Sequence, residues 1–174
     1  MGGLWKRSRL PVADKPGLRP TPQRVRETLF NWMGQDLTGW RCLDAFAGSG
    51  ALGFEAASRG AAEVVLLERD AELVASLRAS QARLKAAALR IERADALAWM
   101  RGATSARFDL VLLDPPFGEG LHAPALAAAA PLVGPGGLIY LEAPQALASV
   151  PDGFTLWRQD RAGAVHYHLL RRDS

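Results

Sequence analysis

Four acidic residues, Asp44, Glu68, Asp95 and Asp114, each close a short run that reads as a buried strand and open a turn or a helix. Asp114 begins the sharpest of these turns, Asp114-Pro115-Pro116-Phe117. Proline restricts the residue before it to extended geometry and has no amide hydrogen. Asp114 and the Pro115 carbonyl can therefore stand as two acceptors on a stiff turn. The exocyclic amino group of a nucleobase has two hydrogens to donate and a lone pair delocalised into its ring. Two acceptors can hold that nitrogen toward tetrahedral geometry and free the lone pair for attack on a methyl group. Phe117 can stack on the base, worth about 1–3 kcal/mol in comparable sites. The plain alternative is a proline turn that ends a strand.

The segment Gly48-Ser49-Gly50-Ala51-Leu52-Gly53 matches G-x-G-x-x-G, and Glu68 follows Gly48 by 20 residues, where a ribose-binding acid belongs. Read alone, this is a dinucleotide fingerprint, or a tight strand-to-helix turn with no ligand. Asp44 argues against a pyrophosphate. A carboxylate just ahead of the loop repels phosphates and attracts a cationic group. S-adenosylmethionine carries an amino group and a sulfonium and no phosphate. Asp95 can accept from an adenine amino group and also cap a helix. The neighbouring Phe46, Ser49 and Arg69 join Asp44, Gly48, Gly50, Glu68 and Asp95 in the candidate cofactor-binding set.

The elements that must position these residues follow from the apolar patterning. Thr21-Pro22 reads as a helix start, with Thr21 as cap and Pro22 at the first helical position. Val25, Leu29, Trp32 and Met33 form its apolar stripe, with Arg24 and the Arg26–Phe30 pair on other faces. Strands are expected over 42–46, 64–68, 89–93, 108–113 and 137–142, alternating with helices over 51–59, 70–87, after Asp95, and 124–133. A terminal hairpin is expected from 154–158 and 165–170. Near-continuous apolar strands alternating with helices imply an α/β fold whose parallel sheet is covered on both faces. Ligands in such sheets sit at the carboxyl ends of the strands, where the acids stand.

Length and charge bound the rest. The 174 residues fit one domain with a short appendage: an N-terminal arm over 1–20 and a single domain over 21–174. A hydrophobic share of 49% excludes a disordered chain, and the single Cys42 excludes a disulfide framework or a cysteine zinc site. The basic residues are 18 Arg and 3 Lys, and seven of these 21 lie in residues 1–26 beside Asp14 alone. That segment is therefore +6 (7 minus 1) and the remainder −3 (14 minus 17). Such an arm suits a polyanion, or serves only to solubilise. No apolar run follows Arg9, and the longest, over 123–133, is interrupted by Pro124 and Pro131. A cytoplasmic protein with no membrane partner is expected. His166 and His168 share a strand face, but no acid or cysteine stands nearby in sequence, so no metal is expected.

DAFAGSG at 44–50 with DPPF at 114–117 resembles the class I methyltransferases that modify exocyclic amino groups. With the arm and RPTPQRVRETLFNWM at 19–33, nearly the whole chain resembles the bacterial 16S ribosomal RNA (guanine(966)-N2)-methyltransferase family. Two features depart from that pattern: few residues precede Gly2, and Gln23 stands where an acid is expected. The resemblance implies S-adenosylmethionine as methyl donor. It also implies a Rossmann-like sheet of seven strands, mostly parallel, ending in an antiparallel hairpin. Asp44 and the 48–50 backbone would hold the methionine end, Glu68 the ribose, and Asp95 with Ala96 the adenine. Asp114 and Pro115 would take the guanine amino group, with Phe117 packed on the base. Arg7, Arg9, Arg19 and Arg24 would contact phosphates of ribosomal RNA, free or in an assembled small subunit, while Thr21 and Arg26 would reach the cofactor's carboxylate. No protein partner is implied. DNA adenine and protein methyltransferases share DPPF, a nicotinamide-dependent oxidoreductase shares the glycine pattern, and a non-catalytic RNA-binding protein could share the fold.

Overall fold

The computed structural model describes residues 1–6, 8–12, 21–103 and 108–174. The central elements run α1 (Gln23–Met33), β1 (Arg41–Asp44), α2 (Ala51–Ser58), β2 (Glu63–Glu68), α3 (Ala71–Leu84), β3 (Leu89–Arg93), α4 (Ala96–Gly102), β4 (Phe108–Leu113), α5 (His122–Ala129), β5 (Val133–Ala143), β6 (Phe154–Ala162) and β7 (Val165–Arg172). The seven strands lie in the order β3-β2-β1-β4-β5-β7-β6. The first five are parallel, and β7 runs antiparallel between β5 and β6. This is the Rossmann-like, mostly parallel sheet with an antiparallel C-terminal hairpin that the sequence implied.

Strand order reverses between β1 and β4, so the connecting helices part there. Helices α1 to α3 pack on one face, around Leu29, Phe54, Leu66 and Leu77, and α4 and α5 on the other, around Met100, Val111 and Leu126. Strand β4 is buried on both faces: Leu110, Val111, Leu112 and Leu113 are all 0% exposed. Its apolar run is what carries Asp114 to the sheet's edge.

The structure departs from the sequence expectation at several element ends. Helix α1 starts at Gln23 with Pro22 as its cap residue, and Thr21 makes no cap hydrogen bond. Phe30, assigned to an outer face, is fully buried with the Arg59 guanidinium 5.0 Å from its ring centre. The Arg59 side chain covers that ring, so the buried arc of α1 takes in Phe30 beside Val25, Leu29 and Met33. Helix α3 stops at Leu84 because Lys85 turns left-handed (φ 54°), and the Gln81 amide donates to the Ala86 and Leu89 carbonyls released there. Strand β5 begins four residues early, at Val133, across a bulge opposite β4. The Gly-Pro-Gly-Gly run hid it, yet a Cβ at Gly137 would come 2.5 Å from Val133, a close approach only glycine permits.

The described start of the arm includes a short 3₁₀ turn at Gly3–Trp5 against α2. Glu55 accepts from the Gly2 amide (2.9 Å), and the Ser58 hydroxyl oxygen accepts from the Trp5 amide (2.8 Å). Trp5 tilts against Phe54 at 6.1 Å and so anchors the arm. On the far edge, Trp157 bulges out of β6 with Arg171 and Arg158 over its ring at 3.9 and 4.8 Å. Replacing Leu112 with alanine should remove about 2–5 kcal/mol of stability, read from denaturant unfolding. A loss below about 1 kcal/mol would show that β4 is not the core's central strand.

Candidate active site

The parting of the helices leaves a cleft of about 1090 Å³ at the carboxyl ends of β1, β2, β3 and β4. Asp44, Phe46, Gly48, Ser49, Glu68, Arg69, Asp95, Ala96, Asp114, Pro115, Phe117 and Thr21 all line it, so twelve of the fourteen residues expected at cofactor or target base meet here. Gly50 is buried behind the loop, where a Cβ would meet Leu77 at 2.6 Å and Phe54 at 2.8 Å; its φ of 86° is also open chiefly to glycine. Arg26 lies in an adjoining groove that shares Thr21, Ser49 and Ala51 with the cleft and also holds Lys6, Arg9 and Arg59. Its Nε is buried with no hydrogen-bond partner among the described residues, so a carboxylate or phosphate would satisfy it. Arg9 lines the same groove and Arg24 is exposed on α1. Arg7 and Arg19 lie outside the described residues.

Backbone contacts set the carboxylates. Glu68 accepts from the Gly48 amide through Oε1 (3.0 Å) and from the Asp70 amide through Oε2 (2.9 Å), which locks the glycine loop to the end of β2. Each oxygen keeps a second lone pair for a hydroxyl. Asp95 caps α4 by accepting from the Ala98 amide at 2.9 Å, so its cap role is real, and the residue remains exposed at the cleft. Asp44 is 2% exposed and accepts from the Gly53 amide at 3.0 Å. Burial pushes its pKa up to about 7, with the charges of Glu68 and Glu142 adding to that and the Gly53 and Phe46 amides opposing it.

The chemistry of the lining tests what fits. Asp44, Glu68, Asp70, Asp95, Asp114 and Glu119 are acidic, and Arg69 is the one basic residue among the described lining residues. Arg69 in turn pairs with Glu119 across the mouth at 3.6 Å. A pyrophosphate would meet mostly carboxylates there, whereas a cationic, phosphate-free ligand finds buried negative charge. The glycine loop, Glu68 with its spare acceptor sites and the exposed Asp95 together fit S-adenosylmethionine.

Comparison with known proteins points the same way. The sequence model of the family described as Conserved hypothetical protein 95 matches residues 1–171. The chain belongs to this family. It is 41% identical over 182 residues to ribosomal RNA small subunit methyltransferase D of Escherichia coli, covering 100% of this chain and 89% of that protein. It is 38% identical over 177 residues to the protein of the same name from Haemophilus influenzae, covering 98% and 92%. The solved structure of yhhF from Escherichia coli superposes with a TM-score of 0.88 at 38% identity, covering 99% of this chain and 96% of that one. For this member of the Conserved hypothetical protein 95 family, a full-length match places the cleft and the arm within one shared pattern.

Two buried residues behind the lining were not found from sequence. Glu142, at the end of β5, is 0% exposed and accepts from the Thr21 hydroxyl at 3.0 Å. Tyr140 lies beside it, its hydroxyl pKa raised by burial and by the charges of Glu142 and Asp114. The signal was available, since Glu142 is a fifth acid ending an apolar strand. Phe117 packs against His122 with ring centres 5.5 Å apart. His168 donates through Nδ1 to the Leu141 carbonyl (3.1 Å) and accepts through Nε2 from the Leu147 amide (3.2 Å), so both ring nitrogens serve the backbone. Among the described residues no cluster of His, Cys, Asp or Glu is arranged to hold a metal, and no helix is long and apolar enough to cross a membrane.

The Asp44 shift fixes a sign for stability. Its folded pKa, about 7, lies above the ordinary 3.8, so its favourable contribution is complete below about pH 4 and lost as pH rises through 7. Asp44→Asn keeps an acceptor for the Gly53 amide and removes that dependence. The variant should be more stable than wild type at pH 8, by about 2–4 kcal/mol, and converge with it near pH 4. Urea unfolding at the two pH values checks this, and a less stable variant at pH 8 would refute it.

Proposed function

We propose that this chain transfers the methyl group of S-adenosylmethionine to the exocyclic N2 amino group of a guanine in 16S ribosomal RNA, guanine 966. The observation that carries the reading is Asp114-Pro115-Pro116-Phe117 lining one cleft together with the glycine loop and Glu68. The names of the full-length relatives, ribosomal RNA small subunit methyltransferase D, support the RNA substrate.

S-adenosylmethionine supplies an electrophilic methyl group on a positively charged sulfur. Asp44 would face its charged methionine end, Gly48 and Ser49 would let it approach the backbone, Glu68 would take the ribose hydroxyls, and Asp95 with Ala96 would take the adenine. Asp114 and the Pro115 carbonyl accept the two amino hydrogens of the guanine, and Phe117 packs on its ring. The amino nitrogen is thereby held toward the methyl donor; the sulfur–methyl bond would break as the nitrogen–methyl bond forms, a neutral thioether and one amino proton would leave, and most of the rate would come from the alignment. The guanine leaves its stack to enter, since its amino group is otherwise shielded. Gly118 and Gly120, both with positive φ, allow the loop after Phe117 to turn tightly beside the cleft. Arg9 and Arg24, with Arg7 and Arg19, contact phosphates outside it.

Ribosomal RNA from cells with and without this gene should differ by one methyl group on one small-subunit guanine, mapped by mass spectrometry. Transfer only to DNA or protein would overturn the reading. Asp114→Ala should cut RNA methylation about a hundredfold or more while S-adenosylmethionine binding by calorimetry persists; undiminished turnover would remove Asp114 from the centre. Reversing two arm charges, Lys6→Glu with Arg9→Glu, should weaken RNA binding and lower its salt slope by about 2, leaving cofactor affinity within a factor of two. Equal losses of both would argue against a separate RNA-binding role for the arm.

A further inference from the structure

Glu142 is a fully buried carboxylate that none of the roles above uses. It lies directly behind the cleft lining, where its charge acts on the neighbouring acids. The register of β4 and β5 pairs Leu113 with Leu141, which brings the next residues, Asp114 and Glu142, side by side at the ends of adjacent parallel strands. The Thr21 hydroxyl stands between them, 3.3 Å from Asp114 Oδ2 and 3.0 Å from Glu142 Oε2. Thr21 is the first described residue after the arm, and Pro22 rather than Thr21 is the cap residue of α1.

We propose that Thr21 and Glu142 are positioning residues for Asp114: the hydroxyl ties the two carboxylates together, fixing the direction of Asp114, while the buried Glu142 sets the pH at which Asp114 becomes a charged acceptor. The proposal rests on Asp114 receiving the guanine amino group. Acting through Asp114, neither residue needs to touch the base. The two have opposite signs. The Glu142 charge disfavours ionisation of Asp114, and a hydroxyl donating to the Asp114 carboxylate favours it. A single hydroxyl hydrogen serves two acceptors, so removing either partner changes what the other experiences.

Other titratable groups border this pair. Asp44, at the end of β1, experiences the Glu142 charge. Tyr140, on β5, is influenced by Glu142, Asp114 and Tyr167. Tyr167, on β7, is Glu142's register partner. On the outer side stand His122, against Phe117, and the exposed Arg69–Glu119 pair. All remain unchanged in the variants that follow, so differences between these variants report on Thr21 and Glu142.

The test is the pH dependence of kcat for RNA methylation in Glu142→Gln, Thr21→Val and Thr21→Ser, with cofactor binding and thermal stability measured beside it. Glu142→Gln should move the acid limb to lower pH by about one unit. Thr21→Val should move it to higher pH and lower kcat about tenfold, with KM for RNA within twofold. Thr21→Ser keeps the hydroxyl and should return the limb to its wild-type position. Coincident limbs in all proteins, or shifts of Glu142→Gln and Thr21→Val in the same direction, would overturn the proposal. If Glu142→Gln does not fold, the two Thr21 variants still decide the sign of the hydroxyl's effect. A second readout needs no substrate: carbon-13 carboxyl NMR should show Asp114 titrating at lower pH in Glu142→Gln and at higher pH in Thr21→Val. An unshifted Asp114 signal refutes the coupling. Loss of RNA methylation by the wild-type protein, with the NMR shifts intact, would instead fault the proposed substrate.

Discussion

Everything in the cleft depends on the reversal of strand order between β1 and β4. A parallel sheet must run its connections over its faces, and where successive crossovers change face, nothing covers the strand ends. Here α2 and α3 follow one face and α4 and α5 the other, so the ends of β1 and β4 open side by side. Asp44 and Asp114 stand on those two ends. The apolar strands beneath have no alternative but to be buried, and their register holds the acids to fixed neighbours.

The second consequence is electrostatic. Acids gathered at strand ends repel one another, and burial raises the cost of charging them. Among the described residues, backbone amides hold three of them: Gly53 for Asp44, Gly48 and Asp70 for Glu68, Ala98 for Asp95. Amides fix direction without neutralising charge. The cleft therefore keeps a negative field that a cationic ligand relieves, and Asp44, poised near neutrality, is the group that records that relief.

Strand ends were legible in the sequence because the apolar runs are short and each is closed by an acid. The limits of β3 and β4 agree with the pattern at both ends. What escaped depends on contacts between distant segments. Thr21 has the composition of a helix cap, and only the position of Glu142, 121 residues away, turns its hydroxyl elsewhere. Phe30 is out of place on a helical wheel until the Arg59 side chain covers it. Trp5 in sequence is one aromatic residue in a basic arm, and only its packing on Phe54 ties it to the body. Glu142 itself carried the same mark as the other acids, but only the pairing of β5 with β4 brings it beside Asp114.

The bulge at Trp157 has a meaning beyond packing. Strand β6 is an open edge of a seven-stranded sheet, and an open edge offers unpaired amides and carbonyls to any extended chain that meets it. An extra residue there breaks the regular spacing of those groups, and Arg158 and Arg161 stand exposed along the same strand. A second copy approaching in register would face like charges and a misaligned ladder. Arginines on this edge, one of them capping an aromatic ring, thus keep a very apolar sheet from growing sideways, so its interior can be built for burial while its boundary refuses a further strand.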